Sequence, residues 1–98
     1  MNRSDFWVYI LTSRKKTVLY TGITNDLARR VQQHKSGEGS AFTRRYNVHH
    51  LVYFEHFDTT EGAIAREKQI KGGSRSQEVK LITEQNPEWR DLSDLLEL

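Results

Sequence analysis

The chain has 98 residues, 36% hydrophobic and 29% charged, with 15 Lys/Arg against 13 Asp/Glu for a net charge of +2 and no cysteine. That is the composition of one soluble globular domain with a single modest core; it excludes disulfides and thiolate metal sites. No apolar run approaches the ~18 residues of a membrane span and no leader pattern opens the chain, so an intracellular, cytoplasmic protein without a membrane partner is expected.

Residues 6–11 (FWVYIL) and 18–23 (VLYTGI) are strand-like runs of Val, Ile, Leu and aromatics, and the polar TSRKKT between them reads as a hairpin loop. A hairpin symmetric about that six-residue loop sets Tyr9 directly opposite Tyr20, and Trp7 opposite Gly22. Opposed side chains share one face of a sheet, so the two phenols are either a cross-strand aromatic pair in the core or neighbours in a site. A one-residue slip would separate them.

NDLARRVQQHKSG predicts a helix from about Asp26 to Ser36, with Asn25 or Asp26 as cap and Gly37 as terminator. At about 100° per residue, Leu27 and Val31 define its apolar stripe, and Arg30 and His34 fall within about 60° of Leu27. Arg29 points to solvent. Arg30 either lays its stem along the apolar surface with its head turned outward or aims at the sheet, and His34 is either a hydrogen-bonded core-edge residue or part of a site.

GEGSAFTRRYN reads as an exposed basic loop and HHLVYFEHF (49–57) as a third strand. DTTEGAIAREKQIKGG predicts a second helix capped by Thr59 or Thr60 and stopped at Gly72–Gly73, with Ala63, Ile64 and Ile70 on its inner side. Glu67 falls between these in angle. A carboxylate there needs a partner, which is Arg30, a neighbouring lysine, a cation, or water at an exposed head group. SRSQEVKLITEQN reads as a shorter third helix ending before Pro87.

The order strand, strand, helix, strand, helix, helix gives an α+β domain, a small sheet with helices packed around it, over residues 1–85. Residues 86–98 form an acidic C-terminal tail of helical spacing that either docks or frays. Charge divides the same way: residues 1–82 hold 14 Lys/Arg and 8 Asp/Glu, whereas residues 83–98 hold one Arg and five acids. A basic body suggests a polyanionic partner such as DNA, with Arg44, Arg45, Lys68, Lys71 and Arg75 as its contacts. Tyr9, Tyr20, Arg30, His34 and Glu67 converging on one basic concavity would suit phosphodiester hydrolysis. Glu67 would hold Mg²⁺ or Mn²⁺, Arg30 would meet growing phosphate charge, and a phenol would serve as general base.

VYI at 8–10 and YTG at 20–22 resemble the paired tripeptides that name the GIY-YIG nuclease superfamily. An arginine ten residues after the second tyrosine (Arg30), a histidine four residues later (His34) and a glutamate on a later helix (Glu67) extend the resemblance over roughly residues 6–82. It is strongest to the small stand-alone members, whose REKQIKG-like segment stands here at 66–72, and it also covers the catalytic domain of the excision-repair nuclease subunit. The resemblance implies a three-stranded, largely antiparallel sheet flanked by helices. It further implies an Mg²⁺-dependent DNA endonuclease, structure-selective or weakly specific and related to repair or recombination. A tyrosine would activate the water, with Tyr20 slightly favoured as base, and a protein partner would supply specificity.

Three positions depart from the pattern. Trp7 stands where the motif name has glycine, Ile23 replaces a lysine of the repair nuclease, and no asparagine follows Glu67 before Asn86. The departures leave two alternatives, a binding module of the same fold without turnover and an interaction domain acting through its acidic tail.

Overall fold

The computed structural model describes residues 5–96. Three antiparallel strands form one sheet in the order β2-β1-β3, from β1 (Phe6–Ser13), β2 (Leu19–Thr24) and β3 (Val48–Phe57). Four helices follow the predicted order with one addition: α1 (Leu27–Lys35), α2 (Ala41–Arg45), α3 (Thr60–Gly72) and α4 (Arg75–Gln85), and a 3-10 turn covers Leu92–Leu96. The α+β class and the antiparallel sheet agree with the sequence reading.

Alternation along the central strand divides the interior in two. Val8 and Ile10 point to the face covered by Ala63 and Ile70 of α3 and Ile82 of α4. Tyr9 and Leu11 point to the opposite face, against Leu27 and Val31 of α1. β3 breaks its own alternation at two bulges opposite Ile10–Leu11 and Thr12–Ser13. Leu51, Val52 and Tyr53 are therefore buried in succession, serving both faces.

The caps explain where the helices begin. Asp26 accepts from the Arg29 amide, Thr59 from the Gly62 amide, and Ser74 from the Gln77 amide in a full capping box. Residues 37–47 are not a plain loop, because the Ser40 hydroxyl accepts from the Thr43 amide and starts α2.

Two further expectations need correction. Hairpin partners sum to 31, not 29: Tyr9 lies opposite Gly22, and Tyr20 opposite Leu11. The cause is Ser13, whose hydroxyl accepts from the amides of Thr17 and Val18, which lengthens β1 and tightens the turn around Lys16 at φ +62°. The second correction concerns Ile64, which is 38% exposed, so the inner side of α3 is Ala63 and Ile70.

The acidic segment through residue 96 docks. Leu92 and Leu96 pack on the α1 face of the sheet. Asp91 binds Lys35 Nζ at 2.6 Å and accepts from the amides of Leu51 and Ser93 at 3.2 and 3.1 Å. Asn86 reinforces it, its buried side-chain amide donating to the carbonyls of Val52 and Arg90.

Burial alone would push the Asp91 carboxyl up, but the bonds from Lys35 and Ser93 outweigh it and hold it below the usual carboxylate range. A depressed folded value means its stabilisation is complete above the unfolded value and is lost as pH falls through the folded one. Asp91→Asn should therefore cost about 1 kcal/mol near neutral pH, discounted for partial exposure. Urea melts should show the gap to the parent protein closing in acid; a gap independent of pH would contradict the charged anchor.

Candidate active site

The centre of the site is a proton-ordered chain running from β1 to α2. Tyr9 is 2% exposed, and its hydroxyl lies 3.2 Å from Nε2 of His34, itself 2% exposed. Nδ1 of the same ring lies 3.0 Å from Thr43 Oγ1. Thr43 has one proton, and it goes to the Ser40 carbonyl oxygen at 3.0 Å, which can only accept. Its remaining contacts, from Ser40 Oγ and His34 Nδ1, must therefore donate to it. With the Thr43 proton on that carbonyl, the histidine is the Nδ1–H tautomer, and the Tyr9 hydroxyl donates to the bare Nε2.

Burial, reinforced by the charges of Arg30 and His49, lowers the His34 pKa, which keeps the ring neutral. Burial also pushes the Tyr9 phenol well above its ordinary value, as do Tyr20 and Glu67, against the opposing pull of Arg30. Burial thus holds Tyr9 in its protonated form beside His34.

Two glycines make room for this arrangement. The Tyr9 ring lies across Gly22, where a Cβ would stand 2.5 Å from the phenol oxygen. Gly39 closes the far side, since any Cβ there would collide with His34 Nδ1. Tyr20 shares the face despite the changed register, because a shift of two residues preserves the side on which each side chain points. Its ring centroid lies 6.4 Å from that of Tyr9 and 5.7 Å from that of His34.

Helix α1 turns Arg29 outward and leaves Arg30 half-buried. The Arg30 charge acts on both Tyr9 and His34, as the helical spacing anticipated. Glu67 reaches the site from α3. Its side chain is 19% exposed and pairs with Lys71 Nζ at 3.0 Å, the neighbouring-lysine alternative. Lys71 then lines a shallow depression of about 410 Å³ with Leu19, Tyr20, Thr21, Phe42 and Glu78. Arg44 and Arg45 project from α2 as exposed residues, Lys68 is exposed on α3, and Arg75 donates to the Thr17 carbonyl oxygen at the hairpin turn.

Sequence reasoning missed Thr43, Gly39, Phe42 and Glu78. Only the Ser40-x-x-Thr43 spacing carried a local signal for the first of these. Glu78 Oε2 accepts from Thr21 Oγ1 at 2.7 Å, so its carboxylate ties α4 to β2. Ile23 packs against the α3 side of the core, on the face away from the phenols. Asn86 is bonded to the docked C-terminal segment and does not join the cluster.

The described residues contain no group of three or more His, Asp or Glu arranged to hold a metal. Glu67 is the carboxylate whose charge reaches Tyr9, beside a lysine that a bound cation would displace. A single carboxylate fits Mg²⁺, which binds through one or two carboxylates and keeps several waters. No helix among the described residues is long and apolar enough to cross a membrane.

The family model of the GIY-YIG catalytic domain matches residues 5–81. Among similar proteins, the UPF0213 protein of Natronomonas pharaonis is 39% identical over 82 residues, covering 84% of this chain and 95% of the relative. The UPF0213 protein of Syntrophus aciditrophicus is 43% identical over 86 residues, covering 87% and 97%. The solution NMR structure of a UPF0213 protein from Bacillus halodurans aligns with a TM-score of 0.58 at 31% identity, covering 93% of this chain and 96% of that one. The family match and these likenesses cover most of the chain, and the chain belongs to the GIY-YIG catalytic-domain family, a family of nucleases.

Proposed function

We propose that the protein is a metal-dependent DNA endonuclease that hydrolyses one phosphodiester bond per event, acting in the cytoplasm on repair or recombination intermediates with structural rather than strong sequence selectivity. The observation that carries this reading is the clustering of the Tyr9, Tyr20 and His34 rings, with the charges of Arg30 and Glu67 acting on Tyr9, beside an open depression that Tyr20 lines. Residues 1–85 would be the nuclease unit, and 86–98 its acidic appendage.

Arg30 would bind the scissile phosphate and meet the charge that grows on its oxygens in the transition state. Tyr20, half-buried at the rim of the depression, is the phenol placed to take the proton of the attacking water, provided its own proton has first left. Tyr9 would hold the water from the closed side, with its proton committed to His34. Glu67 would hold Mg²⁺ or Mn²⁺, which supplies Lewis-acid polarisation of the phosphate when bound. Arg44, Arg45, Lys68, Lys71 and Arg75 would attract the DNA backbone.

Nicking of supercoiled plasmid should require Mg²⁺ or Mn²⁺, stop with chelator, and disappear in Glu67→Gln. That variant should bind DNA as tightly or more tightly, because it removes a negative charge from the groove. Binding without nicking in the parent protein would support the alternative of a module that kept the fold and lost turnover, which the absence of an asparagine between Glu67 and Asn86 favours. Nicking that survives in Glu67→Gln would sink the metal assignment.

A further inference from the structure

Phe42 and Tyr46 are 43% and 45% exposed, two of the four large hydrophobic side chains left exposed among the described residues. They belong to α2 and its C-cap, whose only buried residue is Thr43, the residue that orients His34. The helix therefore turns its aromatic side outward while its polar side serves the site. The rings form a ladder: Tyr20 and Phe42 are stacked with centroids 6.0 Å apart at 28°, and Phe42 and Tyr46 follow at 4.9 Å and 50°. The Arg45 guanidinium lies 5.6 Å above the Tyr46 ring, and Arg44 stands exposed beside it.

Exposed rings interleaved with arginines form a surface for stacked bases and phosphates together. Bases inside a duplex offer only their edges, because their faces are covered by neighbouring base pairs. Rings standing in a row can receive only bases freed from their stack. The ladder runs into the depression through Tyr20, and the same depression is lined by Phe42 and Lys71. A strand stacked along it would arrive at the phenol cluster with its backbone toward Arg44 and Arg45.

We propose that Tyr46, Phe42 and Tyr20 form a stacking platform for unpaired bases, so that the preferred substrate is single-stranded DNA or a frayed, flapped or looped strand next to the bond to be cut. The choice of DNA rests on the nuclease reading, whereas the stacking itself is tested without cleavage.

Fluorescence anisotropy in chelator would compare a labelled single-stranded oligothymidylate with a blunt duplex of equal length. The intact protein should prefer the single strand. Phe42→Ala and Tyr46→Ala should each weaken single-strand binding about tenfold, within the range for loss of one base–aromatic stack, and change duplex binding less than about twofold. Tyr46→Phe should restore the affinity, and Arg44→Gln should weaken both probes together. Both rings are largely exposed, so thermal melts of the variants should match the parent protein.

Equal losses on the two probes would overturn the platform, as would no binding of either probe. Unchanged affinity in both ring variants would also overturn it and leave the patch to a protein partner. Single-strand binding through the rings without nicking of any DNA would keep the platform and remove the nuclease reading. Nicking that ignores the ring variants would do the reverse.

Discussion

Arg30→Ala should slow DNA cleavage by about 10²-fold or more, the scale of losing one preorganised charge contact in a transition state. Its neighbour Arg29 serves as the control. The two differ by one position on α1, yet Arg30 is half-buried with its charge acting on Tyr9 and His34, and Arg29 is exposed. Both border the hollow at the start of that helix, with Thr24, Asn25, Asp26 and Gln33, so both add to the field that attracts DNA. Arg29→Ala should consequently weaken binding at low salt and leave the rate at saturating DNA nearly unchanged. Single-turnover rates at saturating DNA separate the two effects. Equal losses of rate would show that charge near the helix start, not the placement of Arg30, is what matters, and the assignment of Arg30 would fall.

How much of this was readable without coordinates depends on the length scale of each interaction. Short-range signals carried well. The caps at Asp26 and Thr59, the stop at Gly37 and the facing of Arg30 all depend on residues three or four apart. The hairpin register failed because Ser13 closes the turn with its hydroxyl and Lys16 takes a left-handed φ, where neither residue advertises a tight turn as Asn-Gly would. The error was an even number of residues, so the face of both phenols survived it. Within the exposed loop expected at 37–47, Ala41–Arg45 is a helix started by a single cap at Ser40. The Tyr9–His34–Thr43 chain joins residues 25 and 9 apart in sequence. No local pattern encodes that closure, although the spacing did mark Tyr9 and His34 as unusual. The docking of the acidic tail depends likewise on Asp91 meeting Lys35 from 56 residues away.

Tyr20→Phe and Tyr9→Phe should both remove most of the cleavage, and stability should tell them apart. Tyr20 is half-buried at the depression, and phenylalanine there keeps its packing against Phe42 while deleting the oxygen that would take the proton of water. A rate lowered by about 10²- to 10⁴-fold with unchanged melting is expected, the range for loss of a general base. Tyr9 is different because its hydroxyl is the donor to His34 Nε2 inside a closed environment. Phenylalanine at 9 leaves that nitrogen buried without a donor, at a cost of about 1–3 kcal/mol beyond the loss of rate. Thr43→Val should weaken the same chain from its other end by leaving the Nδ1–H without an acceptor, and Thr43→Ser should restore it. Chemical denaturation of the four variants, run beside single-turnover cleavage, reads both quantities. Normal stability in Tyr9→Phe would mean that the Tyr9 hydroxyl makes no stabilising hydrogen bond with His34 in either direction. A normal rate in Tyr20→Phe would remove Tyr20 as base and return that role to Tyr9, which could fill it only after giving up its own proton to His34.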